Sequence, residues 1–133
     1  MTPEQRRTLA RLADVLIPAS GGMPSASSVD VAGRQLDLVL HSRPDLAASL
    51  PPILDHVGGR ESLEAVAILE RERPDDLVLL LQAVAGGYYM HDEVRQLLGY
   101  AGQEALTLSR GGFGGEDLID PMLKRRPTYR GAK

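Results

Sequence analysis

The sequence predicts an all-α protein, a compact bundle of five or six helices followed by a long irregular C-terminal arm. Three observations carry that reading. Apolar residues recur every three or four positions from Leu9 to Tyr88, the spacing that places them on one face of a helix. Prolines stand where helices would begin, at Pro3, Pro44 and Pro74, because the first helical residue has no intrahelical N–H bond to lose. Gly99, Gly102, Gly111, Gly112, Gly114 and Gly115 crowd the last third, a density that denies regular helix.

The first helix opens with Thr2 as N-cap, Pro3 at N1 and Gln5 completing a capping box. Leu9, Leu12, Ala13 and Leu16 form its apolar face, and Pro18 ends it. Residues Ala19 to Ser28 read as a loop, with Met23 and Pro24 packing it onto the body. A second helix is expected from about Ser28 to Ser42, with Val29, Ala32, Leu36, Val39 and Leu40 as its stripe. The third starts at Pro44 and carries Leu46, Leu50, Ile53, Leu54 and Val57. Pro51-Pro52 interrupts it and predicts a kink or two short helices. Gly58-Gly59 ends it.

A charged fourth helix is expected from about Arg60 to Arg73. The fifth begins at Pro74 with Asp75 and Asp76 facing the positive end of the helix dipole. Leu77 to Leu81 is apolar on every side, which marks this helix as the central buried one. A short helix from about Asp92 to Leu98 closes the helical body, residues 1–98. Residues 99–133 form the glycine-rich arm, ending in Lys124-Arg125-Arg126-Pro127-Thr128-Tyr129-Arg130. All of this makes a single domain of 133 residues.

Composition excludes several chemistries. The chain has no cysteine, so it forms no disulfide, thiolate zinc site or cysteine nucleophile. A net charge of −3 argues against a nucleic-acid partner, which calls for a basic face. No apolar run nears the roughly 20 residues of a membrane span, so direct membrane insertion is not expected. Arg6-Arg7 invites an export-signal reading, but Arg11 and Asp14 break the apolar stretch such a signal needs. As written, the chain is expected in the cytoplasm, or in the periplasm if exported with a partner or as a mature form.

No catalytic constellation stands out. His41, His56 and His91 are dispersed and lack the convergent ligands of a metal site. The glutamates and arginines of residues 61–73 read as a solvated helix face. Arg110-Gly-Gly-Phe-Gly-Gly115 is one copy of an RGG-like fragment and reads as a flexible turn. Neither a cofactor site nor a metal site is expected in this chain. A small enzyme using Tyr88, His91 and Asp92 as an acid–base set is the weakest alternative.

The aromatics are lopsided. Residues 1–87 contain none, while Tyr88, Tyr89, Tyr100, Phe113 and Tyr129 all follow. Tyrosine offers a large apolar area with one hydroxyl, the profile of an interface anchor. For Tyr88 and Tyr100 the alternative is completion of the core.

Several motifs carry a family resemblance. Leu12-Ala13-Asp14-Val15-Leu16-Ile17-Pro18, the small-residue loop and Ser25-Ala26-Ser27-Ser28-Val29-Asp30-Val31-Ala32 resemble the opening of the gluconate 2-dehydrogenase subunit 3 family. Gly87-Tyr88-Tyr89, Asp92-Glu93-Val94-Arg95, Leu98-Gly99-Tyr100-Ala101-Gly102-Gln103 and Pro127-Thr128-Tyr129-Arg130 are similar to its later motifs, in order. Ala101 stands where the family commonly has proline. The resemblance implies a small non-catalytic subunit without its own cofactor. Its partner would be a large FAD-dependent oxidoreductase of the glucose–methanol–choline type, acting on a sugar, sugar acid or polyol. The small subunit would support that partner's folding, solubility or export, and a cytochrome subunit accompanies some such complexes. The expected contact residues are Pro18, Met23, Tyr88, Tyr89, Tyr100, Phe113, Tyr129 and Arg130, with Arg130 pairing to a partner acid. The alternative is a stand-alone helical adaptor or homo-oligomer, in which Leu77–Leu81 and the tyrosines serve self-association.

Overall fold

The computed structural model describes residues 1–100 together with Gly102 and Lys124. Its contacts divide the chain into two units, Met1–Gly102 and Gln103–Lys133. Apart from Gly99, Tyr100, Gly102 and Lys124, the expected irregular arm of residues 99–133 lies outside the described residues, and with it the Arg110–Gly115 fragment, Phe113, Tyr129 and Arg130.

The first unit is all-α. Six helices follow one another: α1 (Pro3–Leu16), α2 (Arg34–Ser42), α3 (Pro44–Val57), α4 (Ser62–Glu72), α5 (Pro74–Tyr89) and α6 (Asp92–Leu97). Helix α5 packs against α2, α3, α4 and α6, while α1 packs against α3 and α4. One core joins them, with Leu9, Leu12, Leu36, Leu50, Leu69 and Leu80 at 0–2 % exposure.

The N-terminal cap forms as its sequence requires. The Thr2 hydroxyl accepts from the Gln5 N–H at 3.2 Å, and the Gln5 side chain accepts from the Thr2 N–H at 2.8 Å. Two donors that the helix cannot satisfy internally are thereby paired. Helix α4 uses another device. The Glu61 carboxylate accepts from the Leu63 and Glu64 N–H groups at 2.9 and 3.2 Å.

Two expectations are corrected. The second helix begins at Arg34 rather than near Ser28. Residues 26–33 instead make successive turns, with Val31 N–H bonded to Ala26 O at 3.1 Å and Gly33 N–H to Asp30 O at 2.8 Å. Asp30 takes a left-handed φ of 51°, which a helix interior does not allow. Val29, Ala32 and Leu36 imitate helical spacing because the turns also bury Val29 and Ala32. The third helix is one continuous element despite Pro51 and Pro52. The prolines deprive the Ala47 and Ala48 carbonyls of their helical donors. Both alanines are exposed, so water can take those carbonyls. The prolines' fixed φ is already helical, and Leu46, Leu50, Ile53, Leu54 and Val57 gain burial from continuity.

Helix α5 occupies the expected central place, but its first half is not enclosed. Leu80 is fully buried, whereas Val78 and Leu81 are exposed. Its last turn makes the closest approaches. A Cβ on Gly87 would stand 3.1 Å from both the Val31 carbonyl oxygen and a Val31 methyl, and one on Gly86 would stand 3.1 Å from a Val39 methyl. Side-chain methyls can yield by a rotamer change, but a backbone carbonyl fixed in a turn cannot.

This difference sets the order of two substitutions. Each gains up to about 1 kcal/mol of helix propensity. Gly87→Ala is expected to forfeit that gain through overpacking of about 1–3 kcal/mol and to unfold at lower temperature. Gly86→Ala is expected to be closer to neutral. Thermal melts of the two variants beside the parent chain check the order.

Candidate interaction surface

The segment between α1 and α2 lies over the body as a strap, residues 17–33, and each of its parts has an anchor. Gly21 and Gly22 take φ values of 58° and 84°. This lets Ser20 and Met23 exchange backbone hydrogen bonds at 3.2 and 2.9 Å across a tight turn. The Ala26 N–H then returns to the Ile17 carbonyl at 3.1 Å. The Asp14 carboxylate accepts from the Ser27 N–H at 2.8 Å and from its hydroxyl at 2.5 Å. Arg6 donates to the Ala32 carbonyl at 2.6 Å and pairs with Asp37, which fixes the entry into α2. Within the strap Ala26, Val29, Val31 and Ala32 are buried against the body. The loop is therefore packed on the body, as Met23 and Pro24 led one to expect.

Tyr88 is the inner anchor. It is 2 % exposed, and its hydroxyl donates to the Pro24 carbonyl at 2.7 Å. Burial, with the nearby Tyr89 and Glu93, raises its pKa above the ordinary tyrosine value, so the hydroxyl keeps its proton and remains a donor. Tyr88 therefore stands in the core, the alternative given for it from the sequence, and not on the exposed face.

Tyr89 points the other way. Its ring meets Tyr88 edge to face, with centroids 5.4 Å apart at 82°, while the residue is 55 % exposed. Met90 follows at 43 %, and Leu97, Leu98 and Tyr100 stand at 53, 54 and 53 %. Residues 89–100 thus hold five large apolar side chains that the described fold leaves in water. Single exposed apolar residues are ordinary, but a concentration of this kind marks an interaction surface. Tyr100 is held in place by its N–H on the Arg95 carbonyl at 2.8 Å. Arg95 in turn pairs with Asp92.

Of the other expected contacts, Pro18 is exposed and Met23 is half-buried against the core. Met90, Leu97 and Leu98 were not anticipated. The signal for the two leucines lay at α6, where Val94, Leu97 and Leu98 share a face by spacing. A six-residue helix buries only the first of them. Of the Tyr88, His91 and Asp92 set, Tyr88 gives its proton to the Pro24 carbonyl and the Asp92 carboxylate pairs with Arg95, while the buried His91 Nδ1 has no hydrogen-bond partner among the described residues. Among the described residues no cluster of three or more histidine or acidic side chains is placed to hold a metal ion. No described helix is long and apolar enough to cross a membrane. No protein-family model, no curated protein and no solved structure matches the chain.

Two substitutions test the strap. Burial raises the Asp14 pKa, but hydrogen bonds from the Ser27 hydroxyl and N–H, and from Ser25, lower it more, so the net shift is downward from 3.8. A carboxyl with a depressed folded pKa contributes stability that is full above its unfolded value and lost as pH falls through the folded one. Asp14→Ala is expected to cost about 1–2 kcal/mol at neutral pH. That difference from the parent should shrink as pH falls below about 4, as denaturant melts at several pH values would show. Tyr88→Phe keeps the ring and leaves the Pro24 carbonyl without its donor, for an expected loss of about 1 kcal/mol. Its proteolysis within residues 17–33 should quicken relative to the parent.

Proposed function

We propose that this chain is a small non-catalytic accessory subunit that binds and stabilises a large FAD-dependent oxidoreductase of the glucose–methanol–choline type. The partner's substrate would be a sugar, sugar acid or polyol, and the flavin would belong to the partner. The family comes from the motifs of residues 12–32, 87–103 and 127–130. The observation that supports a docking role is the exposed apolar run of Tyr89, Met90, Leu97, Leu98 and Tyr100.

The physical logic is linkage. A subunit that binds only the folded form of its partner shifts the partner's folding equilibrium by mass action. For that it needs a preformed surface, because ordering side chains on binding subtracts from affinity. The Tyr88–Pro24 anchor and the Tyr88–Tyr89 ring contact hold Tyr89 on a packed support. Tyrosine at such a position supplies contact area at low entropic cost.

The double substitution Tyr89→Ala/Tyr100→Ala is the direct test. Both side chains are exposed, so the chain's own stability should move by less than about 0.5 kcal/mol at Tyr100 and by about 0.5–1.5 kcal/mol at Tyr89, where the ring contact with Tyr88 is lost. Loss of two interface anchors at about 2 kcal/mol each should reduce co-purification of the large subunit more than tenfold. Unchanged recovery overturns the assignment of this surface. A stable homo-oligomer that forms without any large partner, and that the double substitution dissociates, would favour self-association instead.

A further inference from the structure

A second surface has different chemistry. Helix α1 carries Arg7 and Arg11 one turn apart, so both project from the same side of the helix. They line an open groove of ≈ 770 Å³ between α1 and the α3–α4 turn, together with Glu4, Thr8, Ala10 and Gly59. A smaller groove of ≈ 360 Å³ shares Glu4, Thr8 and Gly59 with it and runs on past Gln5 and Asp55. Thr8 is 5 % exposed and forms part of the wall of both. Gly59, at φ 77°, has nothing within 4 Å of where a Cβ would stand, so the turn leaves the groove open.

Among the described residues the two guanidiniums have no ion pair, which they share with Arg34 outside the groove. Arg6, Arg43, Arg60, Arg71, Arg73 and Arg95 all have a carboxylate within 4 Å. Arg7 makes one long hydrogen bond, Nε to the Pro3 carbonyl at 3.4 Å, and Arg11 makes none among the described residues. In a chain of net charge −3 this is a local reversal of sign. Glu4 lies toward the other end of the groove and forms no ion pair with either. The groove therefore has a cationic end and an acidic end.

We infer that this groove is a docking seat for an acidic peptide segment of a partner protein. Guanidinium is the group suited to paired hydrogen bonds with a carboxylate. Two of them one turn apart match carboxylates on alternate residues of an extended chain, which share one side of it. Along α1 the distance from Thr2 to Arg11 is about 13 Å at a rise of 1.5 Å per residue, which accommodates about four extended residues. An open channel of that length fits a chain passing along it better than a single enclosed anion. Glu4 sets where the acidic residues lie, because it repels a carboxylate from the Thr2 end. The seat is separate from residues 89–100 and does not depend on which protein carries the segment.

The test is an amide chemical-shift titration of the full isotope-labelled chain at low salt with end-blocked hexaglutamate. The expected result is shifts centred on Arg7, Thr8, Arg11 and Gly59. Arg7→Gln/Arg11→Gln should weaken binding at least tenfold with an unchanged circular dichroism spectrum, since both side chains are exposed. Arg34→Gln, which removes an exposed arginine that does not line the groove, should leave binding intact. Absence of shifts overturns the inference, as do shifts that survive the double substitution or fall equally under Arg34→Gln. Inorganic phosphate at matched charge that reproduces the same shifts with equal strength also overturns it, because the seat would then be for a free anion.

Discussion

The fold depends on how residues 17–33 sit against the last turn of α5. At that turn Gly87 presents no side chain, so the Val31 backbone can approach closely, and Tyr88 reaches inward to the Pro24 carbonyl. The two contacts need each other. A larger residue at 87 would lift the strap and lengthen the tyrosine bond. Loss of the tyrosine hydroxyl would strand a carbonyl in a half-buried place. Asp14 and Arg6 pin the strap to α1 at either side of that seat, so α1, α2 and α5 meet through a segment that is itself irregular.

That seat also divides the tyrosine pair. Because Tyr88 is committed inward, its neighbour faces out, and the T-shaped ring contact couples the buried residue to the exposed one. The outward side of this junction continues through Met90 into α6, where Leu97 and Leu98 remain in water. A helix of six residues has too little length to bury both a core-facing valine and the leucines one turn on. The apolar excess at this end of the body is therefore built into the element's length. The proposed docking role uses that excess, and the proposed acidic-peptide seat on α1 uses an excess of charge instead.

Much of the architecture was legible from local chemistry. The capping box of Thr2 and Gln5, the first-turn prolines and the leucine stripes each act within a few residues, so their outcome can be read from a few residues. What escaped was nonlocal. Val29 and Ala32 fall at helical spacing, yet Asp30 and Gly33 turn the chain there, and only contact with α5 shows why. Pro51-Pro52 reads as a break until the burial of five apolar neighbours on the opposite side is weighed against two solvent-facing carbonyls. Tyr88 and Tyr89 are alike in sequence. Only the position of the Pro24 carbonyl, 64 residues away in the chain, separates the core residue from the exposed one. Arg7 and Arg11 carried no sequence signal of their own, because whether an arginine is paired is decided by what folds beside it.

The most direct measurement is affinity isolation of the tagged chain from its native host, with the mass of the complex and its visible absorption spectrum recorded together. The account predicts a larger subunit in fixed ratio with this chain, carrying flavin absorbance. Recovery of the chain by itself, colourless and self-associated, would contradict it and favour the self-associating adaptor.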